Sequence, residues 1–316
     1  MGSGSAETPH RIEDLRFAVV GAYVSDCIIS VSRLPVWDEE YRARKIRTTP
    51  GGKALNQAVA LARLGTQVAA IGAVGDDGLG RDVLVALIDS GIDVSDVQVR
   101  ERAATPVCAC FVGDDGETSF VWHIDENVAV TCETVRNAEC ISTCDAVLVT
   151  FEPPLSTIRE AIRLAHESGA RVFLNPAPAL ATLGDAASIP WDQVDVLVPN
   201  ETEGRAILKG IGNADRKRPD ELARTLSSEL DVPTVVVTLG ESGCVACSAG
   251  RTRSHPAHPA TPVDTTGASD AFIATLAAYL TGGAPEEGAI QIASAAAAWS
   301  VGRPGGHESM PPRAVL

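Results

Sequence analysis

The sequence predicts an α/β protein: a parallel sheet sandwiched between helices on both faces, with a small β lid set apart from it. Three observations carry this expectation. From residue 67 onward, short apolar β-prone runs alternate with amphipathic helical runs, the pattern of strands joined by crossover helices. Aromatic residues make up only 4% of the chain while Ala, Val, Leu and Gly dominate, which suits helices packed closely on a sheet. Two β-prone regions, near 24–48 and 106–123, do not fit the alternation, so they are assigned to a small separate sheet that could cover a site as a lid.

Taken in order, Arg16 to Tyr23 (R-F-A-V-V-G-A-Y) is a short apolar run with a Gly near its end, consistent with a buried first strand. Cys27 to Val31 and Arg42 to Thr48 are separated by Pro35 and the acidic turn Asp38-Glu39-Glu40, and read as exposed strands. Gly51-Gly52-Lys53 leads into Ala54 to Leu64, an Ala/Leu/Val helix closed by Gly65. Gln67 to Ala73 follows as strand and Leu79 to Ser90 as helix. Pro106 to Val112 and Thr118 to His123 flank the turn Gly113-Asp114-Asp115-Gly116 as a hairpin. The series continues with helix Cys132 to Cys140, strand Ala146 to Thr150, helix Leu155 to Ser168, strands Arg171 to Leu174 and Val194 to Val198, and helices Thr202 to Lys209 and Pro219 to Leu230. Strand Thr234 to Thr238 and helices Ala271 to Leu280 and Glu286 to Val301 complete it. No repeat, low-complexity tract or linker interrupts the pattern, so one domain over 16–316 is expected after a flexible leader over 1–15.

With 316 residues and 45% hydrophobic content, the chain can bury a substantial core. Its formal charge of −15 argues against nucleic acid or an anionic membrane as partner, so any phosphate must be bound locally by backbone dipoles, a few cations and Mg²⁺. No uninterrupted apolar segment is long enough to span a bilayer and no secretory pattern opens the chain, which predicts a cytoplasmic protein. Among eight cysteines, Cys244-x-x-Cys247 followed by His255-x-x-His258 is superficially zinc-like. The spacing is irregular and the two Cys would face opposite sides of a strand, so they are read as buried thiols, as are Cys108 and Cys110 on one strand face and Cys140 and Cys144 on one helix face.

Chemistry concentrates in Pro262-Val263-Asp264-Thr265-Thr266-Gly267-Ala268-Ser269-Asp270-Ala271-Phe272, a turn-rich stretch running into an apolar helix. The first N–H groups of such a helix lack internal partners and sit at the positive end of its dipole, which suits an anion. Asp270 beside that site would repel a phosphate unless it accepts a proton from an attacking hydroxyl. The other reading is an acidic residue that merely favours a first helical turn.

Read with this stretch, four others resemble the ribokinase, or pfkB, family of carbohydrate kinases. Gly51-Gly52-Lys53-Ala54-Leu55-Asn56-Gln57 resembles the family's N-terminal signature and Asp264 to Asp270 its C-terminal one. Asn175-Pro176-Ala177-Pro178, Asn200-Glu201-Thr202-Glu203 and Val237-Thr238-Leu239-Gly240 match family stretches in the same order, over about Phe17 to Met310. The resemblance implies a ribokinase-like fold and ATP-dependent transfer of the γ-phosphoryl group to a sugar hydroxyl. It implies Asp270 as base, with the N–H groups of Gly267, Ala268 and Ser269 as anion hole. It further implies Asp26, Gly51, Gly52, Lys53, Asn56 and Glu152 around the sugar, and Asn200, Thr238 and Gly240 along the nucleotide. Glu203 would organise Mg²⁺ through water, and Asp264, Thr265 and Ser309 fall where many members bind a monovalent cation such as K⁺. A homodimer formed through the lid is implied as well.

Each assignment has a plainer counterpart. Lys53 and Asn56 alone would read as solvated residues, Glu152 as a loop carboxylate, and Asn200 with Glu203 as a helix cap. Departures from the family pattern also matter. Ser269 stands where a Gly is usual, which is harmless only if that residue is already helical. Ala54 replaces another Gly, and Val24 in Val24-Ser25-Asp26 replaces the Asn that ribose-binding members carry. A sugar kinase is the main expectation. A nucleoside kinase, with Phe111, Phe120 or Trp122 stacking on a base, and a non-catalytic sugar sensor are the alternatives.

Overall fold

The computed structural model describes residues 11–114, 118–179, 183–213 and 217–316. In chain order it contains β1 (Arg16–Val20), β2 (Val24–Ser30), β3 (Lys45–Gly51), α1 (Lys53–Arg63), β4 (Gln67–Gly75), α2 (Gly78–Asp89), β5 (Asp93–Arg100), β6 (Val107–Val112) and β7 (Thr118–His123). There follow α3 (Cys132–Asn137), β8 (Ala146–Thr150), α4 (Leu155–Ser168), β9 (Arg171–Asn175), β10 (Val196–Leu197), α5 (Glu201–Gly210) and α6 (Pro219–Leu230). The chain ends with β11 (Thr234–Thr238), β12 (Cys244–Ser248), β13 (Arg251–His255), α7 (Ala268–Thr281) and α8 (Glu286–Val301).

A nine-stranded sheet in the order β13-β12-β11-β10-β9-β8-β1-β4-β5 forms the body, and its members from β5 to β11 run parallel. Successive residues of β1 serve opposite layers. Phe17 and Val19 join the core formed with α1, α2, α7 and α8, while Ala18 and Val20 join the one formed with α3 to α6. Such strands are buried on both faces, which is why they read as unbroken apolar runs.

The sheet departs from the expected all-parallel arrangement at one end, where β12 and β13 pair antiparallel to β11 and to each other. Neither β5 nor this hairpin was expected from the sequence. Both outermost strands, D-V-S-D-V-Q-V-R and R-T-R-S-H, are charged, which hides their β character and also protects an unpaired edge. The helix expected at 132–140 ends at Asn137, because the chain turns extended at Ala138. That expected from Ala271 begins three residues earlier, at Ala268. Within the expected leader, Ile12 and Leu15 pack into the core, while residues 1–10, together with part of the turn at 113–116, lie outside the described residues.

The expected lid is a separate four-stranded sheet in the order β3-β2-β6-β7. Cys244 and Cys247 pack into opposite core layers, so the zinc-like pattern does not converge. No helix among the described residues is long and apolar enough to cross a membrane.

Candidate active site

A cleft of about 370 Å³ lies between the inner face of the lid and the N-terminal ends of α1 and α7. The lid contributes Val24 and Asp26 from β2, Cys108 and Cys110 from β6, and Phe120 and Trp122 from β7; Phe111, which alternates to the other face of β6, does not line it. The body contributes Gly52, Lys53, Asn56, Glu152 and the turn from Thr265 to Asp270, with Ala268 excepted. Two glycines make the close approach possible. A Cβ on Gly51 would fall 1.9 Å from Asp26 Oδ2, and Gly52, at φ 92°, occupies a conformation that side chains resist and faces the Ala22 carbonyl.

Asp270 is the centre of the polar network. Gly267, at φ 78°, turns the chain into α7 and leaves Asp270 in the first helical turn, buried. Its Oδ2 accepts from Asn56 Nδ2 at 2.9 Å and its Oδ1 from Gln57 Nε2 at 3.0 Å. Asn56 Oδ1 has no partner and remains available as an acceptor. The Gly267 and Ser269 N–H groups lie where a helix has no carbonyl to offer, whereas the Ala268 N–H reaches the Thr265 carbonyl at 3.3 Å.

Four acidic groups share this region, and burial raises the pKa of each. Asp26 and Glu203 are pushed up to about 7, against the pull of Lys53, while Asp270 and Glu152 are raised for the same reason. Lys53 is itself disfavoured as a cation by burial, but Glu152, Asp270 and Glu203 outweigh this and raise its pKa. Its Nζ lies 4.0 Å from Glu152 Oε1, and Glu152 also accepts from the Thr150 hydroxyl at 3.0 Å and the Ala22 N–H at 3.3 Å.

The remaining sequence-derived residues lie outside the cleft. Asn200 and Glu203 form a reciprocal capping box at the start of α5, each backbone N–H donating to the other's side chain at 2.8 Å. The plainer reading of this pair is therefore satisfied, while Glu203 Oε1 stays outside the cap. Thr238 bridges to Asn200 at the end of β11, and Gly240 follows at φ 59°. Asp264 accepts the N–H groups of Thr266 and Gly305, both at 2.9 Å, and the Ser309 hydroxyl is engaged with Ser300 and the Gly306 carbonyl. These contacts tie the loop before α7 to the C-terminal tail.

A pfkB family carbohydrate kinase model matches residues 15–313. The chain belongs to the pfkB family of carbohydrate kinases. The ribokinase of Haemophilus influenzae is 32% identical over 296 residues, spanning 93% of this chain and 95% of that protein. The deoxyribokinase of Salmonella typhi is 32% identical over 295 residues, with 93% and 95% spanned. Among solved structures, a ribokinase from Thermotoga maritima superposes with a TM-score of 0.83 at 26% identity, over 95% of this chain and 97% of that one.

As a pfkB chain, this one resolves the question raised by Ser269. Positive φ falls on Gly267, and Ser269 is helical, so its N–H is kept at no backbone cost. Val24 lines the cleft and is 6% exposed. Gln57 went unassigned from sequence although it holds one oxygen of Asp270 and lies 3.4 Å from Asn175 Oδ1. Two adjacent amides inside an otherwise Ala/Leu/Val helix were the available signal. Thr150 and the Ala22 N–H, which fix Glu152, carry no such signal, because only the fold brings them together.

Proposed function

We propose that this ATP-dependent sugar kinase acts on a small sugar that lacks a hydroxyl where Val24 stands, with Asp270 as its base. The observation that carries the reading is a buried carboxylate at a helix N-terminus, clamped on both oxygens and adjoining N–H groups free to hold an anion. In this reading Asp270 takes the proton of the sugar hydroxyl as its oxygen attacks the γ-phosphorus of ATP. The N–H groups of Gly267 and Ser269, joined by that of Ala268 once it leaves the Thr265 carbonyl, hold the phosphoryl oxygens, and ADP departs. Lys53, Asn56, Asp26 and Glu152 grip the sugar over Gly51 and Gly52. Asn200, Thr238 and Gly240 flank the nucleotide.

Mg²⁺ would neutralise phosphate charge, and Glu203 suits it as a partner acting through water, since one of its oxygens is outside the cap. We assign the loop of Asp264 and Thr265, tied to the tail of Ser309, to a monovalent cation held largely by backbone carbonyls. The side chains of Asp264 and Ser309 already have partners.

Val24 presents an apolar wall, and a hydroxyl buried against it without a partner costs about 1–3 kcal/mol. Ribose should accordingly be poorer than the preferred sugar by roughly 5-fold to 150-fold in kcat/KM, and a 2-deoxy pentose is the first candidate. The test is a panel of pentoses, deoxypentoses, ketohexoses, sugar acids and nucleosides followed by ADP release, repeated on Val24→Asn. The variant should gain on ribose and lose on the native sugar. Equal use of ribose by the wild type, with no effect of Val24→Asn, would refute the specificity argument.

We also propose a homodimer formed through the lid. Among the described residues nothing pairs with the outer edges of β3 and β7, and Ile46 and Val121 stand exposed on these strands. Light scattering at micromolar concentration should give twice the chain mass, and a monomer would refute it.

A further inference from the structure

The lid register brings together a group of side chains that phosphoryl transfer does not require. On the parallel pair β2 and β6, Asp26 stands directly opposite Cys108, and Cys110 lies two residues along the same strand. All three therefore project from one face of the lid, toward the cleft. A carboxylate oxygen of Asp26 and the two Sγ atoms lie within 4.8 Å of one another, the one group of three His, Cys, Asp or Glu among the described residues that is spaced to hold a metal ion. Cys110 and Asp26 are buried and Cys108 half-buried, yet all three border the open cleft.

The two sulfurs are 3.6 Å apart. Such a pair can close into a disulfide or hold an ion between its sulfurs. A disulfide spans Cα atoms about 4.4–6.8 Å apart, and residues i and i+2 of a strand, roughly 6.6–6.8 Å apart, lie at the far end of that range. A tetrahedral zinc ion with Zn–S bonds of about 2.3 Å sets its two sulfurs about 3.8 Å apart. The separation set by the contact of the two free thiols would have to widen by only about 0.2 Å to reach that spacing.

We propose that Asp26, Cys108 and Cys110 form a site for a thiophilic divalent cation of the zinc type, with the fourth position open to the cleft. Two thiolates and a carboxylate are a donor set that favours zinc or cadmium over magnesium. Binding releases the two thiol protons to solvent. The Cys110 S–H already donates to Cys108 Sγ, which lowers the pKa of Cys108 and raises that of Cys110. Lys53, the nearby cation, is offset by Glu152. Because the same Asp26 is assigned to the sugar, an ion here excludes it, making the cation a competitor of the sugar. That last step rests on the sugar-binding role proposed above.

The experiment titrates Cd²⁺ into the reduced, metal-free full chain and follows the ultraviolet thiolate-to-cadmium charge-transfer band. One equivalent should develop the band, and affinity should fall about 10-fold or more in Cys108→Ser and in Cys110→Ser but not in Cys132→Ser. Circular dichroism checks that each variant folds. Should a variant fail to fold, iodoacetamide labelling of the wild-type chain decides, since Cd²⁺ must protect Cys108 and Cys110 together. Absence of the band, equal affinity in the Cys110→Ser chain, or unprotected Cys108 and Cys110 overturns the site. A further titration with ribose or 2-deoxyribose present should shift the midpoint to higher Cd²⁺. If the band survives and neither sugar shifts it, the metal site stands and its overlap with the sugar is what fails.

Discussion

Replacing Asp270 by Asn separates chemistry from architecture. In the native chain both carboxylate oxygens accept amide hydrogens, from Asn56 at 2.9 Å and Gln57 at 3.0 Å. The Asn side chain keeps one acceptor and turns an NH₂ toward the other donor, leaving one buried N–H unpaired at about 1–3 kcal/mol. Against this, the substitution removes a carboxylate whose burial already raises its pKa, so part of the loss is offset and the melting temperature should move little. Asp270→Ala removes the carboxylate acceptor from both amides and should destabilise by roughly twice as much. Turnover behaves differently. Loss of a general base costs about 10²-fold to 10⁴-fold, or roughly 2.7–5.5 kcal/mol of barrier. Steady-state ADP release at saturating ATP and sugar measures kcat, and equilibrium binding of each ligand should remain close to wild type. An Asp270→Asn enzyme that keeps more than a third of the wild-type kcat would remove Asp270 from the mechanism, however well it is positioned.

Two further outcomes follow from the buried carboxylates. Burial raises Asp26 from 3.8, and Glu203 from 4.5, to about 7, so between those values the folded ligand-free chain binds more protons than the unfolded one. Stability from these groups is complete below about pH 4 and lost as pH rises through about 7; calorimetry should show a falling melting temperature over that interval, flatter in Asp26→Asn, and an identical slope in that variant would contradict the assignment. Glu203→Gln keeps an oxygen for the Asn200 N–H and so preserves the cap, yet it should lower kcat about 10-fold or more at limiting Mg²⁺ through the lost charge. Unchanged kinetics across a Mg²⁺ titration would reduce Glu203 to a capping residue.

The layered body was legible because burial on both faces leaves a plain mark: strands such as A-V-L-V-T at Ala146–Thr150 are apolar throughout. The edge strands were not, since β5 and β13 owe their place to pairing on one side and carry charges on the other. Within the site, residues in contiguous motifs were readable, including Lys53, Asn56 and Asp270. Contacts made across more than 80 residues were not. Gln57 to Asp270, Ala22 to Glu152 and Asp26 opposite Cys108 depend on strand register and helix placement, which no local pattern encodes. The capping box at Asn200 illustrates the converse, a local motif that serves stability whatever else it does.

Gly52 stands alone between the last residue of lid strand β3 and the first of helix α1. On one side the backbone is committed to hydrogen bonds with β2, and on the other to a helix whose side chains clamp Asp270. All torsional freedom at this junction is thus concentrated in a single residue without a side chain. Asp26 sits on the lid sheet and Lys53 on the helix, so the groups facing the cleft belong to two elements that meet here through one residue. A Gly52→Ala substitution would therefore set the strand and the helix against each other, since a side chain at φ 92° would also meet the Ala22 carbonyl at 2.8 Å, and one of the two elements would have to give way.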